Sequence, residues 1–354
     1  MKSKKYIYGI LFIITLIVPN MYAQSGEDEF SKMNFAESVT NRGTSAAAFL
    51  EIGVGARAEA MGSAFTAISN DASALYWNAA GISGLTDVSI TASHTEWLAE
   101  TKFQNLGLVI PIGDSKAFGF SLTMLDYMDK QPVRTIRYPE GTGEYYDASD
   151  LAIAVSYAMN ITEGFSFGIT GKYIYQTIWH ESAAAFAADL GILYKTDLKG
   201  LTLGASISNF GSDMRLDGRD LIRPYDEDQQ NYSNDKLNVL LKTDEFSLPL
   251  LFRFGIAYNL AVHSDHDFNL AADLLHPSNN VESMNVGLEY GFKNVLFLRG
   301  GYQSLFDNRS ETGLTLGIGV RNPLSDFLDI EFNYAYSDWG KLKSVQRFSI
   351  DLRF

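Results

Sequence analysis

Two histidines, His263 and His266, have the close spacing of a metal-binding pair and are the most obvious candidates for chemistry in this sequence. They fall in a predicted turn, where no further ligand is near except the acids of the turn itself. The chain contains no cysteine, which excludes cysteine-ligated zinc, thiol catalysis and a disulfide scaffold. We therefore expect a solvated turn here and no metal.

An acidic segment within residues 210–246 is a second candidate, because clustered carboxylates can hold Ca²⁺. The segment lacks the ligand spacing of an EF-hand, and its arginines can pair with the acids. We favour a charged surface loop, and whether it binds Ca²⁺ or protein stays open. The acids are Asp213, Asp217, Asp220, Asp226, Glu227, Asp228 and Asp235, and the arginines are Arg215, Arg219 and Arg223.

Motifs for nucleotide binding and nucleophilic catalysis are weak or missing. Residues 53–58 fit the pattern G-x-G-x-x-A, but no strand precedes them and no βαβ unit surrounds them. His94 and His180 fall near the ends of predicted strands beside no Ser/Asp pair, and the chain has no G-x-S-x-G motif. We predict a non-enzymatic protein that uses no cofactor.

The composition narrows the class of protein further. The 354 residues carry 28 Lys and Arg against 42 Asp and Glu, a formal net charge of −14 that argues against nucleic acid as a partner. Mean hydropathy is −0.05, too polar for a bundle of membrane helices, yet 13% of the residues are aromatic. The sequence therefore combines a net negative charge and a near-neutral mean hydropathy with many Gly, Tyr and Phe residues.

Residues 1–23 have the features of a secretory signal peptide. Three lysines in the first five residues precede the uncharged, mostly apolar run Tyr6–Pro19. This run is too short to span a hydrocarbon core of ~30 Å, which needs about 20 residues. We expect cleavage after Ala23 and export from the cytoplasm, with a short uncleaved anchor as the alternative.

From about residue 86 onward, apolar and polar residues alternate in segments separated by turns. In residues 328–336 the even positions are large and apolar, while the odd ones are acidic, amide or small. This period of two predicts strands with one apolar and one polar face. We count fourteen such segments: 87–95, 103–111, 116–127, 149–158, 164–179, 184–195, 200–209, 247–259, 267–275, 283–292, 294–303, 312–321, 327–337 and 345–354.

The lengths of the connections distinguish a membrane barrel from a soluble sandwich. Turns after even-numbered strands are all short, whereas the two long connections, 128–148 and 210–246, follow odd-numbered strands. This parity is typical of an outer-membrane barrel with both termini in the periplasm. We predict an all-β membrane protein, a 14-stranded antiparallel outer-membrane β-barrel spanning 86–354, whose closure leaves no exposed sheet edge.

Aromatic residues at the strand ends fit the same architecture. We expect Trp97, Trp179 and Trp339 to form an outer interfacial girdle, and four tyrosines an inner one. The C-terminal strand alternates apolar side chains and ends in an aromatic residue, which resembles the assembly signal that the barrel-assembly machinery reads. The four tyrosines are Tyr157, Tyr194, Tyr258 and Tyr290, and the signal residues are Phe348, Ile350, Leu352 and Phe354.

Two segments precede the predicted barrel. Residues 24–45 begin polar and acidic and are expected to form a periplasmic arm. Residues 46–85 are dense in Gly, Ala and Ser and then rich in turn-forming residues, so they can pack as short helices and turns in a confined space. Because a fourteen-stranded lumen is wide enough to need filling, we predict that this segment is a plug inside the barrel.

Charged residues at inward positions of the strands have two interpretations. A charge on the lipid face would cost about 2–4 kcal/mol at mid-depth for Lys or Arg, so these residues should face the lumen. We favour a lattice of salt bridges that packs the wall against the plug, because adjacent strands carry both signs; a polar pathway is the alternative. The residues are Glu289, Arg299, Asp329, Glu331, Arg347, Asp351 and Arg353.

Residues 55–65, 70–74 and 77–81 of the plug segment carry its most distinctive motifs. These motifs resemble those of the PorV/PorQ family, within the FadL-like superfamily of plugged fourteen-stranded barrels, except that Ala79 stands in place of the usual proline. The specific motifs span about 30 residues, and the predicted architecture agrees with that of the family over essentially all of the mature chain. The plug-motif residues are Gly55, Arg57, Met61, Gly62, Asn70, Asp71, Trp77, Asn78 and Gly81.

The resemblance implies two functions. One is a PorV-like component of type IX secretion, whose long loops bind translocon or cargo proteins, with 237–241 as an apolar anchor. The other is FadL-like uptake of a hydrophobic small molecule, which predicts an apolar cavity in the lumen leading to a lateral gap. The expected contacts are outer-membrane lipid, the barrel-assembly machinery and secretion-system proteins or secreted cargo.

Overall fold

The computed structural model describes residues 42–226, 237–263, 265–307, 310–325 and 327–354. The predicted signal peptide and most of the predicted arm lie outside the described residues, as do Glu227, Asp228 and Asp235 of the acidic segment. Within the described ranges, no helix is long and apolar enough to cross a membrane.

Fourteen long antiparallel strands form one sheet that closes on itself. Each strand pairs with the next along the chain, and the first strand pairs with the last to complete the ring. The strands are β1 Ser89–Glu96, β2 Lys102–Ile112, β3 Lys116–Asp126, β4 Ala148–Asn160, β5 Phe165–Ile178, β6 Glu181–Lys195, β7 Leu201–Gly211, β8 Leu251–His263, β9 His266–Pro277, β10 Ser283–Phe292, β11 Leu296–Leu305, β12 Leu314–Ser325, β13 Leu328–Asp338 and β14 Ser344–Arg353.

The predicted fourteen-stranded barrel is confirmed, and twelve strands lie within three residues of their predicted bounds. β12, predicted over 312–321, continues to Ser325, and β8, predicted over 247–259, is shifted by four residues and begins at Leu251. Pro249 has no N–H to donate to the sheet, and its carbonyl accepts a hydrogen bond from the Asn209 side chain (3.0 Å). The chain therefore joins the barrel ladder only after this proline.

Side chains alternate between the two faces of the sheet, as the sequence pattern requires. The outward positions hold large apolar residues left exposed, such as Leu106, Phe120 and Ile153. The inward positions are small, polar or charged, and most are buried against the lumen contents. The barrel therefore presents an apolar outer surface and a polar inner wall.

The long connections β3–β4 and β7–β8 lie at one end of the barrel, which we call the loop end; the opposite end is the turn end. The two connections carry short paired strands of their own. These are Gln131–Pro132 with Tyr145–Tyr146, Met214–Arg215 with Glu245–Phe246, Asp217–Gly218 on β6, and Ile222–Tyr225 with Leu237–Leu240. Single 3₁₀ turns occupy Leu98–Glu100, Arg219–Leu221 and Gly340–Leu342.

The tryptophans at the loop end do not all lie where the girdle was predicted. Thr95 is buried and Glu96 exposed, so the alternation of β1 directs Trp97 inward. Trp339 follows the inward Ser337 in the same way. The Trp97 and Trp339 rings meet edge to face with centroids 4.9 Å apart. The prediction of an outward girdle was therefore wrong for these two residues, which face the lumen.

Residues 46–85 form short helical pieces that contact the inner wall: α1 Ala56–Ala60, α2 Ala74–Trp77, and 3₁₀ turns at Ala48–Glu51 and Ala79–Gly84. α1 contacts strands β11–β14, and the second 3₁₀ turn contacts β2–β6. Side chains such as Met61 and Phe65 are fully buried. The small-residue segment thus lies in the lumen and touches both halves of the wall. We refer to residues 46–85 as the plug.

Candidate functional site

Glycines in the wall allow the plug backbone to approach β10 and β11 closely. Gly62 has a φ of +65°, and its N–H donates to the Thr315 hydroxyl (2.9 Å), which in turn donates to the Ala60 carbonyl (3.0 Å). A Cβ at Gly301 would lie 2.2 Å from the Gly62 nitrogen, and one at Gly287 would lie 2.2 Å from the Met61 oxygen. Only glycine fits at these positions of the wall.

Asn78 fastens the opposite side of the plug. Its side-chain amide donates to the carbonyls of Thr66 and Ile192, both at 2.9 Å, and its side-chain oxygen accepts from the Ala80 N–H (3.2 Å). The amide therefore joins two parts of the plug to β6. Asn78 also caps the 3₁₀ turn that begins at Ala79, where the related motif has proline.

Arg57 links the two halves of the plug motif to the wall. Its guanidinium binds both carboxylate oxygens of Glu289 at 2.8 Å each, and it also binds Asp71 (2.8 Å) and Asn70 (2.7 Å). Burial acts to lower the pKa of Arg57, but the adjacent Glu289 and Asp71 carboxylates raise it well above its usual value. Arg57 is therefore a permanent cation at the centre of the plug–wall contact.

The ionic contacts continue along the wall from Glu289. Arg299 binds Glu289 (2.6 Å) and Glu331 (3.0 Å), and Arg321 binds Glu331 (2.7 Å). Asn333 receives a hydrogen bond from Arg299 and donates one to Asp351 (2.9 Å). Acids and arginines of β10–β13 thus bind one another in a continuous network, and Asp351 on β14 joins it through Asn333, so each of these buried groups keeps a polar partner.

A second buried pair joins Arg347 on β14 to Glu59 in the plug at 2.7 Å. Glu59 also receives hydrogen bonds from Ser63 (2.8 Å) and Gln303 (3.2 Å). Among the other predicted inward charges, Asp329 and Arg353 are register partners across β13 and β14 and are half-buried. The structure therefore gathers Glu289, Arg299, Glu331, Arg347 and Asp351 around the plug, as a lattice requires.

A cavity of about 640 Å³ lies between the plug and the wall at the loop end. Its lining is mainly apolar and aromatic, with a few charged groups. A volume of this size and lining of this kind suit a small organic molecule. The aromatic lining residues are Phe49, Tyr76, Trp77, Trp97, Tyr127 and Trp339, and the charged ones are Glu51, Glu59, Arg253 and Arg347.

The plug motif and the inward charges were predicted from the sequence, but most residues that line the cavity were not. Arg253 was not among the predicted lumen charges, although it occupies an inward position between Leu251 and Gly255 on β8. The alternation of β1, which directs Trp97 into the lumen, was a second feature of the sequence that indicated the cavity. The cavity itself could not be read from one segment, because its lining comes from the plug and from at least six connections or strands.

The other candidate sites are not assembled within the part of the chain that the structure describes. Among the described residues, no group of three or more acids and histidines is placed to hold a metal ion. His266 bonds the Tyr290 hydroxyl at 2.8 Å instead, and the side chain of His263 lies outside the described residues. His180 contacts Asp220 (2.8 Å) in the long loop, with no serine hydroxyl in the same contact.

The sequence matches the uncharacterised protein family UPF0164 over residues 30–241. The chain belongs to this family. Among curated proteins, none matches the sequence of this UPF0164 member. Among solved structures, the UPF0164 chain is similar to the CymD monoaromatic hydrocarbon channel, with 13% identity and a TM-score of 0.55 over 85% of this chain and 96% of that one.

Two further solved structures have the same architecture. The Pseudomonas putida toluene transporter TodX has 12% identity and a TM-score of 0.52, covering 85% of this chain and 97% of its own. The Ralstonia pickettii toluene transporter TbuX has 11% identity and a TM-score of 0.50 with the same coverage. These likenesses show that the UPF0164 chain shares the fold of these channel and transporter structures, in agreement with its closed fourteen-stranded barrel.

Proposed function

We propose that the chain is an outer-membrane channel that admits a hydrophobic, aromatic small molecule through its lumen. The observation that carries the proposal is the cavity of about 640 Å³ between plug and wall, lined by six aromatic side chains. The three similar solved structures are described as hydrocarbon or toluene channels and transporters, which agrees with such a cargo. The cavity supports the uptake hypothesis, which predicts an apolar cavity in the lumen that leads to a lateral gap.

The same proposal includes the orientation and surroundings of the barrel. The exposed apolar outer face would contact outer-membrane lipid, and the loop end would face outward with both termini in the periplasm. The aromatic C-terminal residue Phe354 is exposed, which leaves it available to the barrel-assembly machinery. Molecules would enter the cavity at the loop end and pass the plug, whose ionic contacts hold the path closed at rest.

A role in type IX secretion is a second candidate, and it rests on the resemblance of the plug motif to PorV/PorQ. One structural observation favours a protein partner: the hairpin of Ile222–Tyr225 and Leu237–Leu240 exposes Leu237, Leu240 and Ile222 at the loop end. Pull-down with the tagged barrel in mild detergent should then recover translocon subunits or cargo. Recovery of neither would remove this candidate and leave the channel proposal intact.

Binding of a neutral aromatic molecule should quench the tryptophan fluorescence of the barrel. Three of the four tryptophans, Trp77, Trp97 and Trp339, line the cavity, and the fourth, Trp179, does not. Bromobenzene is a suitable probe because bromine quenches an excited indole only at short range. We expect saturable quenching in the purified barrel, with roughly tenfold weaker affinity in Ala48→Phe, whose ring would fill part of the cavity.

Matched variants separate cavity binding from partition into detergent. Trp179→Phe should keep the saturable quenching, because Trp179 lies outside the cavity and stacks on His180 (4.1 Å). Trp97→Phe should lose part of it. Quenching that rises linearly with bromobenzene and is the same in all three variants would contradict the proposal.

A further inference from the structure

Arg253 differs from the other buried arginines of the lumen because no described residue gives it a carboxylate partner. Arg57, Arg299 and Arg347 each lie within 2.8 Å of a carboxylate oxygen. Arg253 is only 3% exposed, yet among the described residues no carboxylate oxygen lies within 4.0 Å of its guanidinium. A buried cation without an anion is costly, so its environment requires explanation.

The hydrogen bonds of Arg253 leave much of the guanidinium unused. One terminal nitrogen donates to the Ser208 hydroxyl (3.2 Å), and the other makes a long contact with the Tyr76 hydroxyl (3.5 Å). Its Nε has no hydrogen-bond partner among the described residues. A guanidinium carries five N–H donors, so at least half of the donor capacity of Arg253 has no hydrogen-bond partner among the described residues, and Arg253 lines the cavity.

The groups around Arg253 do not supply the missing anion. Burial raises the pKa of Tyr76 to about 12, so the phenol stays neutral, and it donates its proton to the Leu50 carbonyl (3.0 Å). Asp273 accepts the N–H groups of Phe65 (3.0 Å) and Thr66 (2.9 Å) and thereby holds the plug backbone.

Glu51 is a further acid near Arg253. It is exposed to the cavity and receives a hydrogen bond from Asn279 (3.3 Å). Glu51 and Asp273 therefore attract Arg253 from a distance without making an ion pair with it.

Aromatic rings surround the guanidinium on the side of the cavity. Its central carbon lies 5.4 Å from the Tyr76 ring centroid and 5.3 Å from that of Trp77, within the range of cation–π contacts. The edge-to-face pair of Trp97 and Trp339 lines the same cavity. A planar aromatic body next to a carboxylate would match this combination of flat apolar walls and one open, fork-shaped donor.

We infer that the cavity takes an aromatic carboxylate, with its ring among the aromatic side chains and its carboxylate on Arg253. This inference rests on the proposed function and specifies the chemical class of the molecule. A neutral hydrocarbon would leave the N–H groups of Arg253 without a partner, whereas a carboxylate accepts two of them in the parallel geometry that guanidinium favours. Arg253 then selects for the anion, and the rings select for the aromatic body.

Calorimetric titration with benzoate and with its neutral isostere benzamide tests this inference at pH 7. The wild-type barrel should bind benzoate at least tenfold more tightly than benzamide. Arg253→Met should abolish that preference while benzamide still binds, and Arg253→Lys should keep part of it because it keeps the charge. Arg215→Met, which removes an exposed arginine at the same end of the barrel, should leave the preference unchanged.

Equal affinity for the two probes in the wild type would overturn the inference, as would a preference that survives in Arg253→Met. If Arg253→Met does not fold, the wild-type comparison and Arg253→Lys decide the question by themselves. The outcome also separates the two proposals. Bromobenzene binding without a benzoate preference refutes only the anion site, whereas absence of binding by all three probes refutes the channel proposal as well.

Discussion

Replacing Arg57 with methionine is expected to loosen the plug and to open the lumen. Arg57 alone joins Asn70, Asp71 and the wall residue Glu289, so its loss removes four hydrogen bonds and leaves Asp71 without its cation. Breaking a buried ionic contact of this kind costs about 3 kcal/mol. We expect single-channel conductance in planar bilayers to rise, and chymotrypsin to cleave within 46–85 much faster than in the wild type.

Arg321→Met is the matched control for this variant. Arg321 binds Glu331 on the neighbouring strand and makes no contact with the plug among the described residues. Its loss should lower the thermal stability of the barrel without opening the lumen. Unchanged conductance and unchanged protease resistance in Arg57→Met would show that the plug does not depend on this contact, contrary to our account.

A valine at Gly168 is expected to prevent the plug from entering its place in the lumen. A Cβ at this position of β5 would lie 2.4 Å from the Ala80 nitrogen and 2.5 Å from the Ala79 carbonyl carbon. Both contacts are with backbone atoms, which cannot rotate away as a side chain can. Because the plug is held at this point by Asn78, we expect Gly168→Val to assemble poorly and, where it assembles, to show a protease-sensitive plug.

Gly171 lies three residues further along the same strand and provides the control. A Cβ there meets no atom within 4 Å, and the residue points outward. Gly171→Val should therefore fold like the wild type, since valine suits a strand. The comparison is made by heat-modifiable migration of the barrel on gels and by chymotrypsin digestion. Equal behaviour of the two valine variants would contradict the close packing of the plug against β5.

Most of the barrel could be predicted from the sequence because period-two alternation is a local property of each strand. Counting the alternating segments gave the strand number, and the parity of the loops placed the two long connections at a common end. The start of β8 was missed because Pro249 blocks the ladder locally. Trp97 and Trp339 were assigned by residue type to an outer girdle, although the alternation of β1 and β13 directs them inward.

The candidate site was harder to predict because its contacts join distant parts of the chain. Glu289 and Arg299 are register partners on adjacent strands, so their pairing follows from the hairpin. Arg57 reaches Glu289 across 232 residues, and no local pattern specifies that contact. Arg253 is a single inward charge in an otherwise ordinary strand, and its lack of a partner became visible only with the plug in place.

The position of a bound aromatic molecule tests the channel proposal most directly. Crystals of the barrel grown with bromobenzene can be measured at the bromine absorption edge, where anomalous scattering locates the bromine atom. We predict a peak inside the lumen at the loop end, in the cavity between Phe49, Trp97 and Trp339. Bromine found only on the apolar outer surface, with none in the lumen, would contradict the proposed function.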